Sequence, residues 1–188
     1  KIATKGFDTA EIREFIDQLQ ARLEVANPSA LELLHGQVGD DLAELREAML
    51  HIHYDDSVKS VAVTAEGKVF CAGGDLKLFH AWGDQMARNA HDMLIDFHAA
   101  IHMMNHTPKP FVAGVRGAAG GAGMSLMSAF DLVVSGESAK YTMAYTRAGV
   151  TPDGTSSYFV TRHIGLRRML DLTLTNRVLS AEEAESWG

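Results

Sequence analysis

Two glycine-rich segments are the parts of this chain best suited to chemistry on a carbonyl group. They are 70–76 (FCAGGDL) and 116–123 (RGAAGGAG), and each follows an apolar run typical of a buried strand. Because glycine lacks a Cβ, a substrate atom can approach the peptide N–H directly. Two such N–H groups converging on one oxygen form an oxyanion hole, and we predict that Gly74 and Ala122 supply them. The alternative interpretation is that these glycines only let a helix pack closely on a strand.

Asp153 and Tyr145 are candidates for the groups beside that oxyanion hole. Asp153 lies in 151–154 (TPDG), a strong turn signal in which an aspartate commonly caps nearby N–H groups. The functional interpretation is a carboxylate that acts as a base or nucleophile beside a polarised carbonyl. Tyr145 is, by default, a core or rim aromatic residue whose hydroxyl has a partner.

Four histidines fall on one predicted helix, with spacings of four and seven residues that place them near one face. They are His91, His98, His102 and His106. A histidine pair four residues apart can bind a metal, but no acidic residue lies between His98 and His102 as zinc peptidases require. We therefore predict a solvated or half-buried histidine face and no metal site, with His98 as a general base kept as a separate alternative.

Composition limits the classes of function. The chain has 188 residues and a formal net charge of −7, which argues against general binding to nucleic acid or anionic membranes. Its single cysteine, Cys71, rules out an internal disulfide framework and fits a reducing compartment, so we expect a cytoplasmic protein. No apolar signal segment stands at the N-terminus, and the longest uncharged run is too short to cross a bilayer.

Alternating strand and helix patterns predict how these residues are held. From the start of the chain we predict a helix over 9–20, a strand over 21–26, a helix over 40–52, a loop over 51–56 and a strand over 58–64. The predicted elements that follow are a helix over 87–105, strands over 111–115 and 132–135, and helices over 122–130, 155–163 and 166–175. Ser180 and Glu183 form a capping box that opens a last helix. This order implies right-handed crossovers and a mainly parallel sheet.

Taken in order, these motifs resemble the crotonase superfamily, also called the enoyl-CoA hydratase/isomerase superfamily. The segments that carry the resemblance are 70–76, 109–110, 117–123, 131–133, 149–153 and 174–184. It implies an α/β fold, a ββα spiral whose mainly parallel sheet is flanked by helices. The spiral domain would span 21–188 after a helical segment at 1–20. The family's C-terminal helices are absent, so the chain is expected to be truncated at its C-terminus.

The resemblance also implies a substrate and an assembly. The substrate would be a coenzyme A thioester, with no metal or redox cofactor, and the protein would form a homotrimer or hexamer. The N–H groups of Gly74 and Ala122 would hold the thioester oxygen. The residues expected to bind the thioester are Ala72, Gly73, Gly74, Asp75, Leu76, Gly121 and Ala122.

Positions at which the chain departs from the family pattern limit which reaction of the family it can catalyse. Hydratases of the family carry two glutamates that activate water, and those positions hold Ser125 and Tyr145 here. Asp153 matches the aspartate with which isomerases of the family move a proton. The resemblance therefore favours a double-bond shift over hydration, with Asp153 as the proton carrier.

Two alternatives remain. The 4-chlorobenzoyl-CoA dehalogenases, also members of this superfamily, have an aspartate where Asp153 stands, a histidine where His98 stands and an indole where Tyr145 stands. In that interpretation Asp153 attacks an aromatic ring and His98 activates water. Tyr145 lacks the indole N–H but could still hydrogen-bond the Asp153 carboxylate. The other alternative is a non-catalytic protein that binds acyl-CoA, suggested by the loss of both glutamates.

Overall fold

The computed structural model describes residues 29–32, 41–65 and 67–188. The helix predicted over 9–20 and the strand predicted over 21–26 lie outside these residues, so both stay predictions. The division of the chain into a segment at 1–20 and a domain at 21–188 likewise stays a prediction.

Strands of the described residues form two sheets. In chain order they are β1 (Ser29–Glu32), β2 (Val61–Thr64), β3 (Phe111–Val115), β4 (Ala118–Gly120), β5 (Leu132–Ser135), β6 (Lys140–Thr142) and β7 (Leu179–Ser180). The first sheet has the order β1-β2-β3-β5, and all its neighbouring strands are parallel. In the second sheet β4 pairs parallel with β6, and β6 pairs antiparallel with β7.

Helices connect and flank these strands. They are α1 (Asp41–Tyr54), α2 (Leu76–Trp82), α3 (Met86–His106), α4 (Ala122–Ser128), α5 (Ser156–Ile164), α6 (Leu166–Thr175) and α7 (Ala181–Trp187). Short 3₁₀ turns stand at Gly83–Gln85 and Thr146–Ala148. Within the described ranges, no helix combines the length and the apolar character that crossing a bilayer requires.

The two sheets are built by a repeated unit of two strands and a helix. One turn runs β3, β4, α4, and the next runs β5, β6, α5, so each turn gives one strand to each sheet. An earlier turn follows the same path, because Cys71 after β2 forms a parallel bridge to Ala119 in β4. The predicted α/β spiral with a mainly parallel sheet is confirmed.

Apolar burial explains why these segments take their places. Every residue of β3 is buried, as expected for a central strand of a parallel sheet covered on both faces. Helix α3 turns Phe97 and Ile101 into the same core, where they join Leu126 of α4 and Met143 after β6. The polar residues of the candidate site pack against this core.

The prediction of a loop over 51–56 is wrong at its start, because α1 continues to Tyr54. Contacts from the far end of α3 hold this last turn. His53 Nδ1 lies 2.8 Å from Thr107 Oγ1, and the Lys109 ammonium donates to the carbonyls of Ile52 and Asp55. A cation at the C-terminal carbonyls stabilises a helix end, and nothing in the local sequence signals it.

Helix α2 was not predicted, because it carries no apolar face that the chain buries. Its N-terminus is fixed by Asp75, whose side chain accepts from the backbone N–H groups of Lys77 at 2.8 Å and Leu78 at 3.2 Å. Other boundaries agree with prediction within a few residues, although α4 ends at Ser128 rather than at 130 and β2 begins at Val61 rather than at 58. The predicted capping box at Ser180 and Glu183 is confirmed, with both hydrogen bonds present.

Candidate active site

The turn after Thr151 presents Asp153 to the interior. Gly154 and Thr155 both have positive φ, at 54° and 63°, and the Asp153 carbonyl accepts from Ser156 N at 3.0 Å and Ser156 Oγ at 2.8 Å. The turn prediction is therefore confirmed. The expectation that the Asp153 carboxylate caps nearby N–H groups is wrong, because that carboxylate accepts from a side chain instead. A positive φ at the β-branched Thr155 is backbone strain of the kind that clusters at functional sites.

Three side chains form a hydrogen-bonded row that ends at this carboxylate. The Tyr145 hydroxyl donates to Asp153 Oδ1 at 2.6 Å, and Ser125 Oγ lies 2.5 Å from the same hydroxyl oxygen. Ser125 is 0% exposed and Tyr145 6% exposed, so both polar groups depend on each other for hydrogen bonds. The row joins α4, the segment after β6 and the turn before α5.

Burial sets the electrostatics of the row. Desolvation raises the pKa of Asp153 above its ordinary 3.8, while the Tyr145 hydrogen bond, and His98 when it is charged, act in the opposite direction. Desolvation also raises the pKa of Tyr145, and the neighbouring Asp153 charge adds to that effect. Tyr145 therefore stays a protonated donor at neutral pH, and Asp153 is a stronger base than a solvated aspartate.

His98 contacts the backbone of this turn and makes no hydrogen bond to the Asp153 carboxylate. Its Nε2 accepts from the N–H of Gly154 at 3.1 Å. A backbone N–H can only donate, so Nε2 carries no proton here and the ring proton sits on Nδ1. Protonating Nε2, which would place a charge beside Asp153, requires that bond to break.

The four histidines of α3 all have exposed side chains, which confirms the solvated face. His106 Nδ1 lies 2.8 Å from the His102 carbonyl, and the two rings are tilted by 30° with centroids 4.0 Å apart. Among the side chains that the structure describes, no three His, Cys, Asp or Glu residues gather as metal ligands would.

Backbone hydrogen bonds bring the two glycine segments side by side. The N–H groups of Phe70 and Cys71 donate to Ala118 O at 3.0 and 3.1 Å, and Gly120 N donates to Cys71 O at 2.9 Å. Gly73 has φ +99°, and a Cβ built on it would lie 2.9 Å from Gly120 O and 3.4 Å from Ala122 N. The two segments therefore lie side by side, and glycine is required at that crossing point.

Each predicted oxyanion donor has a distinct setting. Ala122 is the first residue of α4, so its N–H has no intrahelical acceptor. Gly74 lies under the Phe79 ring, since a Cβ on Gly74 would come within 2.4 Å of Phe79 Cζ. Whether both N–H groups point at one substrate oxygen stays a prediction.

The remaining predicted binding residues differ in exposure. Ala72 and Leu76 are exposed, Gly73 and Gly121 are buried, and the Asp75 side chain is engaged as the helix cap. Phe79 stacks on Trp82 with ring centroids 5.2 Å apart, and Trp82 borders a groove of about 320 Å³ between α1, α2 and α3. That groove does not include Asp153.

Sequence reasoning missed the role of Gly154. A Cβ on Gly154 would lie 2.4 Å from Phe97 Cε1 and 2.8 Å from Ser125 Cβ, so the turn packs directly on α3 and α4. It placed Ser125 at a glutamate position of the family but missed its hydrogen bond to Tyr145, although a serine inside an apolar helical segment is a signal for a buried hydrogen bond.

Gly123 tests the packing interpretation of the glycines. A Cβ there would lie 2.1 Å from Cys71 O, a backbone atom that cannot step aside. We expect Gly123→Ala to lower the free energy of unfolding by about 2 kcal/mol or more, since overpacking a core typically costs about 1–3 kcal/mol. Gly149→Ala is the matched control, because a Cβ there meets nothing within 4 Å and only its φ of +75° opposes the change. Equal losses in chemical denaturation would refute the tight contact at Gly123.

The spiral fold and its paired glycine segments define the crotonase class. A crystal structure from Mycobacterium abscessus, assigned as an enoyl-CoA hydratase/isomerase, superposes with a TM-score of 0.81 at 29% identity, covering 87% of this chain and 65% of that one. The chain belongs to the enoyl-CoA hydratase/isomerase family, whose sequence model matches residues 22–188. Members of this family are enzymes.

Two curated relatives show the range of reactions in the family. The 4-chlorobenzoyl coenzyme A dehalogenase-1 of Arthrobacter sp. is 36% identical over 170 residues, which cover 89% of this chain and 60% of the relative. The 1,2-epoxyphenylacetyl-CoA isomerase of Escherichia coli is 32% identical over 148 residues, covering 78% of this chain and 56% of the relative. The chain thus spans less than two thirds of the length of both relatives.

Proposed function

We propose that this protein acts on coenzyme A thioesters and moves a proton within the acyl group, with Asp153 as the proton carrier. The observation that carries the proposal is the Asp153 carboxylate itself. It is half-buried, its pKa is raised by desolvation, and Tyr145 holds one of its oxygens at 2.6 Å. A carboxylate base with a raised pKa, held in place through one of its oxygens, is suited to abstract a weakly acidic C–H proton.

The reaction balances without a further reactant. One carboxylate oxygen of Asp153 takes a proton from a carbon next to, or conjugated with, the thioester carbonyl, and the electron pair moves onto the carbonyl oxygen. The N–H groups of Gly74 and Ala122 would stabilise the resulting enolate. Returning the proton to a different carbon shifts the double bond, so we propose that neither a metal nor a redox cofactor is required.

The positions that hold glutamates in hydratases support isomerisation over hydration. They are Ser125 and Tyr145 here, and their hydroxyls bond to each other at 2.5 Å. Neither side chain is a carboxylate that could take a proton from water. The resemblance to family members also suggests a homotrimer or hexamer, and the single cysteine suggests the cytoplasm; both stay predictions.

Dehalogenation is the second candidate, and two observations favour it. A relative named as a dehalogenase is 36% identical, and His98 lies against the Asp153–Gly154 turn. In this reaction Asp153 displaces halide from an aryl thioester, and water activated by His98 hydrolyses the aryl ester. The geometry opposes that second step, because the Nε2 lone pair already accepts from Gly154 N–H.

A product screen tests the proposal. The protein is incubated with enoyl-, dienoyl-, arylacetyl- and haloaryl-CoA thioesters, and the products are separated by liquid chromatography and identified by mass spectrometry. We expect an isomer of unchanged mass from at least one unsaturated or arylacetyl thioester. Halide release would favour dehalogenation, a mass gain of water would favour hydration, and binding without turnover would favour the non-catalytic alternative; each outcome contradicts the proposal.

His98→Gln separates the two candidate reactions. A glutamine amide oxygen can accept from Gly154 N–H as Nε2 does, so the turn should persist. We expect isomerisation to fall less than tenfold, well below the loss of about 100-fold or more that follows removal of a general acid or base. The measurement is kcat/KM on the thioester found in the screen. A loss of 100-fold with the turn intact would make His98 a base in isomerisation. Halide release from a haloaryl-CoA that is lost in His98→Gln would support dehalogenation instead.

A further inference from the structure

The Tyr145 hydroxyl oxygen lies between two close partners, Asp153 Oδ1 at 2.6 Å and Ser125 Oγ at 2.5 Å. An ionised carboxylate can only accept hydrogen bonds. Tyr145 must therefore donate to Asp153, which leaves only its lone pairs for Ser125. Ser125 must donate in turn, so the direction of the row is fixed as Ser125 to Tyr145 to Asp153.

Ser125 has one other acceptor within reach, the carbonyl of Gly121 one helical turn back, at 3.3 Å. That carbonyl already accepts from Ser125 N at 3.0 Å. The shorter contact to Tyr145, and the existing partner of Gly121 O, both favour Tyr145 as the acceptor for the serine hydroxyl. Because Ser125 lies in the first turn of α4, the hydrogen-bonded row is attached to the same helical turn as Ala122.

Packing confines the Ser125 hydroxyl to these two acceptors. It is 0% exposed, and the backbone of Gly154 fills the space beside its Cβ. We propose that Ser125 is a positioning residue that acts through Tyr145: its hydroxyl fixes the Tyr145 O–H toward Asp153 and strengthens it as a donor. This inference rests on the proposed role of Asp153 as the proton carrier.

A hydroxyl whose oxygen accepts a hydrogen bond becomes a better donor, because bonds in a chain polarise one another. Ser125 therefore acts on the pKa of Asp153 indirectly, through the Tyr145 hydrogen bond. Within the described residues, Tyr145 and His98 are the titratable groups that act on the pKa of Asp153, and the Tyr145 hydrogen bond lowers it. Losing Ser125 should weaken that bond and raise the pKa of Asp153.

The experiment measures the titration of Asp153 directly and needs no substrate. Protein carrying aspartate labelled with ¹³C at the carboxyl carbon is titrated by NMR, and the Asp153 signal is assigned by its loss in Asp153→Asn. We expect the midpoint to move to higher pH in Tyr145→Phe, and to move the same way but less in Ser125→Ala. In the double variant, Ser125→Ala should add nothing to Tyr145→Phe.

Ser128→Ala is the matched control, because Ser128 is a buried serine on the same helix whose hydroxyl donates to Ser125 O at 2.8 Å and does not contact Tyr145. Its midpoint should equal that of the wild type. An unchanged or lowered midpoint in Ser125→Ala would overturn the inference, as would a shift that persists in the Tyr145→Phe background. Since no turnover is needed, these outcomes are independent of whether the product screen finds an isomer.

Discussion

Asp153→Asn is expected to lower kcat/KM by about 100- to 10,000-fold, the range for loss of a general acid or base. The amide cannot take a proton from carbon, yet its oxygen can still accept from Tyr145 as Asp153 Oδ1 does at 2.6 Å. Binding of the thioester should therefore persist while turnover is lost. The measurement is steady-state kinetics together with equilibrium binding of the same thioester.

The same substitution should stabilise the fold at neutral pH. Desolvation raises the pKa of Asp153 above 3.8 in the folded state, so the folded state holds its proton more tightly than the unfolded state. Stability therefore falls as the pH rises from 3.8 through the folded-state pKa, and the charged form opposes folding above it. Removing the charge should raise the free energy of unfolding by about 0.5–2 kcal/mol, as stabilising substitutions commonly do.

Denaturation at two pH values isolates this effect. The advantage of Asp153→Asn should be present at pH 7 and should vanish below pH 3.8, where the carboxyl is protonated in both states. Asp84→Asn, at an exposed position in the 3₁₀ turn Gly83–Gln85, is the control and should change neither activity nor stability. A variant at Asp153 that keeps wild-type turnover, or that is less stable at pH 7, would contradict this account of the carboxylate.

Ala122→Pro should lower kcat by about 100- to 1000-fold, the cost of removing one oxyanion donor. Proline has no N–H, and its fixed φ suits the first position of a helix, which is where Ala122 stands in α4. The substitution therefore removes the predicted donor at a place where the helix tolerates proline. The measurement is kcat, supported by circular dichroism and an unfolding curve that show α4 in place.

Ala122→Gly is the control, because it keeps the N–H and removes only a methyl group. It should retain most of the activity. If the glycine variant lost as much activity as the proline variant, the methyl group rather than the N–H would matter. If the proline variant folded and kept its activity, Ala122 would not be an oxyanion donor.

Local signals account for the parts of the fold that sequence predicted well. The apolar run of β3 indicated a strand buried on both faces, which the structure has, whereas β5 at the sheet edge leaves Leu132 and Val133 exposed. The helix over 166–175 and the capping box at Ser180 were predicted from residues close together in the sequence. Helix α2 was not predicted because it is stabilised by the Asp75 cap rather than by a buried apolar face. The last turn of α1 was not predicted because Lys109, more than fifty residues away, holds it.

The candidate site likewise has residues that the sequence could indicate and contacts that it could not. Gly74, Ala122 and Asp153 could be selected because glycine density and a turn motif are visible along the chain. The contact of Tyr145 with Asp153 arises because the strained turn at Gly154 and Thr155 packs on α3 and α4. Ser125 joins them from twenty residues before Tyr145, a relation that only the folded spiral creates.

Solvent deuterium incorporation tests the central claim most directly, since a proton held on the half-buried Asp153 carboxyl can exchange with water before it returns to carbon. The thioester found in the product screen is incubated with enzyme in D₂O, and its mass is followed alongside isomerisation. Our account predicts deuterium on carbon with the wild-type protein and none above background with Asp153→Asn. Deuterium entering at the wild-type rate with Asp153→Asn would contradict it.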